Sequence, residues 1–314
     1  MRTTIRSWII TASCLGLIAG IGSGWFVKAC LAAGPYYQIF FGNDEVADNK
    51  VIEKIKSSPT LRHIRFRDMS SLSPDKISAL VSLPDLEVLD FMFMSIAGDD
   101  PLSKAKEMPK LRELTFTKVQ FDERTLKNLS KNSLRKIYFC ECPGVTNIAA
   151  WYTSFIPTLE EVYFGTTKIG DKGVGYLSKL KKLRFLYLLH TPITDQSCES
   201  LATIPTLELL DVRETEISDC GLMKLATLPK LKTFLAGMSP LVTDEGLAHF
   251  KGNKTIEHIE LSNCGITDKS LPILATIPNL KYLTIYKDSI SDQALAKFKK
   301  DHPRVAVFGP QVKN

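Results

Sequence analysis

The sequence predicts an α/β solenoid, a curved stack of strand–turn–helix units, and three observations carry that expectation. A phrase of the form Leu-x-x-Leu-x-Leu recurs from residue 61 onward, usually with Pro two residues ahead, as in Pro205-Thr206-Leu207-Glu208-Leu209-Leu210-Asp211-Val212 and Pro278-Asn279-Leu280-Lys281-Tyr282-Leu283-Thr284-Ile285. Its first apolar position falls at 61, 86, 111, 134, 159, 183, 207, 231, 256, 280 and 305, with steps of 23 to 25 residues, so the chain is an array of repeats. Inside a unit the apolar spacing changes from two to three, the mark of a strand followed by a helix. The 314 residues are 44% hydrophobic and 24% charged with ordinary glycine and proline content, which provides for a core and excludes disordered and collagen-like classes.

The first element is apolar. Ser7 to Val27 contains no charge and is long enough as a helix to cross a hydrocarbon core of roughly 30 Å. Its length favours an uncleaved anchor over a signal peptide, whose apolar region usually runs about 7 to 15 residues, although Val27-Lys28-Ala29 and Cys30-Leu31-Ala32 offer weak cleavage sites. Arg2 and Arg6 precede the span and Lys28 follows it, a bias that keeps the N-terminus cytoplasmic and exports the rest. Gly16, Gly20 and Gly24 share one helix face, a spacing that either lets two spans self-associate or reflects the ordinary glycine content of such segments. Residues 31–314 are then a single repeat domain of eleven or twelve units, degenerate at both ends; Tyr36-x-x-Ile39-x-Phe41 fits the first of them.

One unit illustrates the others. Leu183, Leu186 and Leu188 end in an alternation, so this stretch is a strand with one buried face. Thr191-Pro192-Ile193-Thr194-Asp195 turns the chain, and Cys198, Leu201 and Ile204 follow at steps of three along one side of a short helix. Ile204-Pro205 closes the unit, because the residue before proline avoids the helical region.

These residues resemble the leucine-rich repeat family over about 270 residues. Ile-Thr-Asp at 193–195 and 266–268, and Ile-Ser-Asp at 217–219 and 290–292, are similar to the cysteine-containing, F-box-associated repeats, and Cys142 and Cys264 stand at that subgroup's cysteine position. Thr167, Thr191 and Thr215 occupy the same position in other units, so the subgroup pattern is mixed. The resemblance implies a right-handed horseshoe with a parallel sheet on the concave face and short helices on the convex face. Elementary dimensions agree, since strands stack about 4.8 Å apart and helices are about 10 Å wide, so the stack curves towards its strands.

Several residue sets invite a chemical reading. Asp171, Asp195, Asp219, Asp244, Asp268 and Asp292 recur once per unit, as a calcium ladder would. Each follows Thr, Ser or Gly at a helix start, where the hydroxyl caps free N–H groups and the carboxylate favours the positive dipole end, so the structural reading is stronger and no metal is expected. Thr167, Thr191 and Thr215 are expected to bond turn backbone. Cys140, Cys142, Cys198, Cys220 and Cys264 form no C-x-x-C and are odd in number, which argues against a disulfide framework or a zinc site. His63 and His258 stand eight units apart, His190 lies in a turn, His249 in a helix and His302 near the end, and no phosphate-binding glycine loop is present, so neither catalysis nor a cofactor is expected.

The third, fifth and seventh positions of Leu-x-x-Leu-x-Leu-x point out of the concave face. The fifth column carries Tyr138, Tyr163 and Tyr187 on consecutive rungs; Phe185 and Leu209 stand in the third column, with Leu189 and Arg213 in the seventh and Asp211 in the fifth. Arg65 and Arg67 bound this group towards one end, and Asp211, Arg213 and Glu260 towards the other. An exposed aromatic and aliphatic patch with a charged rim marks a partner-binding site, whereas cross-strand stacking alone accounts for an aromatic ladder without a partner. Of 40 basic and 34 acidic residues, Arg2, Arg6 and Lys28 fall in the first thirty, which hold no acid, so the body is nearly neutral. Nucleic acid is thereby excluded, and the expected partner is a protein, a peptide or a glycan. The function expected is a non-catalytic interaction module, membrane-anchored or exported. The alternatives are a substrate receptor of a ubiquitin ligase, which the F-box-associated repeats suggest, and a purely structural envelope protein.

Overall fold

The computed structural model describes residues 38–41, 53, 55–67, 79–96, 102, 104–286 and 289–309. The expected span at residues 7–27, with Gly16, Gly20 and Gly24, lies outside them, and among the described residues no helix is long and apolar enough to cross a membrane. The strands are β1 (Gln38–Phe41), β2 (His63–Arg67), β3 (Val88–Ser95), β4 (Glu113–Gln120), β5 (Lys136–Cys140), β6 (Glu161–Tyr163), β7 (Phe185–Tyr187), β8 (Leu209–Asp211), β9 (Thr233–Leu235), β10 (His258–Glu260), β11 (Tyr282–Thr284) and β12 (Ala306–Phe308). Among the described residues they form one open parallel sheet in chain order. From β3 to β11 each strand is followed by a short outer element. In the earlier units these include the 3-10 helices Ala105–Glu107 and Glu123–Lys131. Then come α1 (Asn147–Thr153), α2 (Asp171–Leu177), α3 (Asp195–Ala202), α4 (Asp219–Leu225), α5 (Asp244–Ala248), α6 (Ser270–Ala275) and α7 (Asp292–Asp301). The fold is the expected α/β solenoid with an inner parallel sheet.

Register follows the fourth position of the phrase, which points inward from β2 to β11. Ile39 pairs with Ile64, Ile64 with Leu89 and Leu89 with Leu114, and the line continues through Ile137, Val162, Leu186, Leu210, Phe234, Ile259 and Leu283. A one-residue slip would turn the whole inward set to the other face, so burial fixes the pairing. The last unit is a correction to the expected spacing. Val305 is buried as the first position requires, yet Val307 pairs with Leu283 and Phe308 with Thr284, so this phrase is one residue shorter and Phe308 faces outward.

The sixth position adds a spine. Phe66, Phe91, Phe116, Phe139 and Phe164 stack rung by rung with ring centroids 5.8, 5.4, 5.3 and 5.1 Å apart, all essentially inaccessible to solvent. Two positions later the backbone takes a left-handed conformation, within β3 and β4 and just past the later strands, with φ between 52° and 58° at Phe93, Lys118, Glu141, Thr166, His190, Glu214, Met238 and Asn263. Such a conformation is costly for an L-residue. It persists because the stack holds it, as where the Thr166 N–H donates to Leu189 O at 2.8 Å and the His190 N–H to Arg213 O at 2.9 Å.

The ninth position closes the turn in two ways. Thr167, Thr191 and Thr215 donate their hydroxyls to the sixth-position carbonyl of their own unit, at 2.8, 2.5 and 2.7 Å, as expected. Cys142 and Cys264 instead reach back to that carbonyl in the preceding unit, to Phe116 O at 3.4 Å and Ala236 O at 3.2 Å. Burial pushes the Cys142 thiol up to about 12, so it packs as a neutral group.

The aspartates link units. Thr194, Ser218 and Thr243 cap their own helices, as expected, by accepting from Gln196, Cys220 and Glu245 N–H. Each capping residue also donates its N–H and hydroxyl to the aspartate of the unit before: Thr194 to Asp171 at 2.8 and 2.8 Å, Ser218 to Asp195 at 2.8 and 2.5 Å, Thr243 to Asp219 at 2.7 and 2.6 Å. Thr267 on Asp244 and Ser291 on Asp268 continue the ladder. The aspartates therefore do more than complement their own helix dipole.

Candidate functional site

The concave face is a grid of outward side chains set by the pairing above. In its fifth column Tyr138, Tyr163 and Tyr187 come together as expected, with ring centroids 6.3 and 5.5 Å apart, but they are only 5, 4 and 8% exposed. The expected exposed tyrosine patch is corrected on this point. Gly165 leaves room for the Tyr163 ring to lie over it. A Cβ built on Gly165 would lie 2.5 Å from Tyr163 Cε1 and Cζ. Cys140 packs with the three rings, and Phe185 and Leu209 rest against them from the third column. The tyrosines are a rigid floor, and burial pushes the Tyr138 phenol up, with Glu161 and Glu113 adding to the effect.

Of the other expected site residues, Asp211 is fully buried and Arg213 covers it, with Nε donating to Oδ1 at 2.9 Å and Nη2 to Oδ2 at 2.6 Å. Such a bidentate pair holds the guanidinium in one orientation. Phe185, Leu189 and Leu209 are half-buried, so they and the edge of Arg213 are what a partner can touch among the expected set. Arg184 lies over the Phe185 ring at 5.0 Å and pairs with Glu208 at 2.7 Å.

The more exposed column is the third. It runs from Glu113, Lys136 and Glu161, where Lys136 lies 3.8 and 3.2 Å from its two carboxylates, through Phe185 and Leu209 to Thr233, His258 and Tyr282. Burial pushes Glu113 up, against the pull of Lys136. At the far end His258 meets Tyr282 edge-on at 6.0 Å and Tyr282 stacks on Phe308 at 6.4 Å, with Tyr282, Tyr286 and Phe308 all exposed. Sequence reasoning missed this second aromatic group. The signal was the pair Tyr282 and Tyr286 at outward positions of one unit. Near the other end Asp90 accepts from Arg65 at 2.8 Å and lies 2.8 Å from His63 Nε2. Burial would raise the Asp90 carboxyl, but the His63 hydrogen bond and the Arg65 charge hold it below the usual carboxylate range.

His258 has a consequence for pH. Burial, with the nearby Arg213 charge, lowers its pKa from 6.5 to about 4. Between those values the unfolded chain binds a proton that the folded chain does not, so stability is present in full above about pH 6.5 and falls as the pH drops towards 4. The steepest loss is about 1.4 kcal/mol per pH unit. Urea titrations at pH 7 and pH 5 should show this loss in the wild type and a smaller one in His258→Gln. Equal losses would mean that His258 is protonated in the folded state.

Two shallow depressions, of about 630 and 430 Å³, lie along the turns that follow the strands rather than over the tyrosines. They share Pro143 and are lined by residues such as Phe93, Lys118 and Glu141 in one, and His190, Glu214 and Thr191 in the other. Lys118–Glu141 at 3.1 Å and His190–Glu214 at 2.9 Å tie neighbouring turns together. No group of side chains able to hold a metal ion occurs among the described residues.

A family model described as Leucine Rich repeat matches residues 203–226 and 252–271. Those two segments match as leucine-rich repeats. Among solved structures the chain is similar to an internalin from Listeria monocytogenes str. 4b F2365, with 17% identity and a TM-score of 0.48 over 83% of this chain and 70% of that one. No curated protein matches the sequence.

Proposed function

We propose that the protein is a non-catalytic interaction module that holds a protein or peptide along the third column of its concave face. The observation that supports this most is the pairing of a rigid tyrosine floor with half-exposed apolar groups, Phe185 and Leu209, at the centre of the array. Preorganised aromatic and aliphatic anchors rimmed by charge are what binding hot spots require. The third column offers its partner a charged stretch at Glu113, Lys136 and Glu161, then an apolar one, then the aromatic edge of Tyr282 and Phe308. An extended segment fits that order better than a glycan. The apolar stretch Ser7 to Val27 supports an anchored module with its repeats outside the cytoplasm, or a secreted one after cleavage. The Ile-Thr-Asp phrases support the cysteine-containing subtype, but an exported module does not suit a ubiquitin-ligase receptor.

The test is a cross-linking pull-down from cells producing the full chain, comparing wild type, Phe185→Ala with Leu209→Ala, and a control altered at Glu257 and Lys281, an exposed pair 2.7 Å apart. Each anchor should contribute about 2 kcal/mol, so the double variant loses its partner while the control retains it. The same captured proteins from all three would remove this reading and favour a structural envelope protein.

A further inference from the structure

The convex face carries an apolar cluster that the repeat core does not use. Ile148, Trp151 and Phe155, from α1 and the residues after it, are 48, 38 and 47% exposed. Trp151 meets Phe155 edge-on at 5.1 Å and Tyr152 at 4.7 Å, so the group is a packed, protruding wedge. The hydrogen-bond ladder sets its neighbours. Glu123 accepts from Thr146 N–H at 2.8 Å and from Ala149 N–H at 3.2 Å, and Asn147 Oδ1 accepts from Gly170 and Gly173 N–H at 2.9 and 3.0 Å. Glu123, Asn147 and Asp171 are thus equivalent, and the positions of Ile148, Trp151 and Phe155 are held by Arg124, Lys127 and Lys131 on one side and by Lys172, Gly175 and Lys179 on the other. The cations are all exposed. The nearby acid Asp122 is taken up by Arg124 at 2.6 Å, and Glu199, two units along from α1, pairs with Lys224 at 3.5 Å. In the later units the wedge positions are mostly polar, charged or small, such as Gln196, Glu199 and Thr203.

We propose that this convex face docks on an anionic lipid surface, with Ile148, Trp151 and Phe155 entering the acyl boundary while Lys127, Lys131, Lys172 and Lys179 rest on the headgroups. Charge complementarity selects the occupant, because a row of cations on either side of an apolar wedge matches a negative surface with an apolar interior. Shape agrees: the outside of a solenoid curves away from a rigid partner, whereas lipid closes around protruding side chains, and tryptophan and tyrosine favour the bilayer interface. Docked in this way, the solenoid presents its concave face away from the bilayer. The inference does not depend on partner capture at that face.

The full chain has three tryptophans, Trp8, Trp25 and Trp151. In a Trp8→Phe, Trp25→Phe background Trp151 alone reports. This protein is reconstituted into phosphatidylcholine vesicles with or without roughly 30% phosphatidylserine, each carrying lipids brominated on the upper acyl chain. Trp151 emission should fall at least about twofold in the anionic vesicles and change little in the neutral ones. Adding Lys127→Glu, Lys131→Glu, Lys172→Glu and Lys179→Glu should abolish the quenching while leaving the circular dichroism spectrum unchanged. The proposal is overturned by unquenched emission in anionic vesicles, or by quenching that the four substitutions leave intact. It is also overturned by a blue shift that depends on protein concentration in lipid-free micelles, which would make a second copy of the chain the occupant.

Discussion

Replacing Phe139 by alanine should destabilise the stack by about 3 to 5 kcal/mol. Phe139 is inaccessible to solvent and lies between Phe116 at 5.3 Å and Phe164 at 5.1 Å, with Phe121 at 6.0 Å. Its removal opens a cavity bounded by rings that the sheet register holds in place, so the site cannot collapse. In a solenoid each unit touches only its neighbours, so the loss weakens both adjoining interfaces. Leu186→Ala, inward on β7, should cost about 2 to 5 kcal/mol for the same reason. The burial of Tyr163 changes what its loss means, since Tyr163→Ala removes part of a packed floor and cannot serve as a purely functional probe. Denaturation of the full chain in detergent, followed by circular dichroism, would rank the three. A cost at Phe139 below about 1 kcal/mol, small against the range for buried phenylalanines, would show that the spine relaxes freely.

The path of the chain was readable because strand alternation and the 24-residue period act together. Once the fourth position must be buried, Ile64, Leu89 and Leu114 have no other register. The slip at Val307 was not readable, since Val305, Ala306 and Val307 are apolar alike and pairing with Leu283 decides among them. Nor could the pattern tell which outward column is covered. Tyr163 and Phe185 are both outward, and their difference in exposure comes from a ring lying over Gly165, a three-dimensional event. The convex wedge escaped for a related reason. On a helix, Ile148 and Trp151 differ from core residues only in direction, and the units on either side supply the comparison that reveals it.

Gly246→Ala should destabilise the protein, although a glycine inside a helix is ordinarily about 1 kcal/mol less favourable than alanine. A Cβ at Gly246 would lie 2.9 Å from Asp219 Cα and closer still to its carboxylate, which the Thr243 N–H and hydroxyl hold at 2.7 and 2.6 Å. The carboxylate must then leave, orphaning two donors, or α5 must shift; either costs about 1 to 3 kcal/mol. The same geometry explains why the residue two places after each ladder aspartate is small: Gly173, Ser197, Gly221, Gly246, Ser270 and Ala294. Where it is serine, the hydroxyl joins the bond, as Ser197 does on Asp171 and Ser270 on Asp244. Burial would raise those two carboxyls, but the hydroxyl and amide donors outweigh it and hold both below the usual range. Asp219→Ala alone should cost about 2 to 3 kcal/mol, because its bonds are charge-assisted and its loss leaves the Thr243 donors unpaired. Combined, the two substitutions should cost less than their sum by about 1 kcal/mol, since the carboxylate that the added methyl group would strike is gone. Denaturation midpoints of the two single variants and the double variant measure the coupling. Additive losses, or a more stable Gly246→Ala protein, would show that the glycine is not kept small by the neighbouring unit's aspartate.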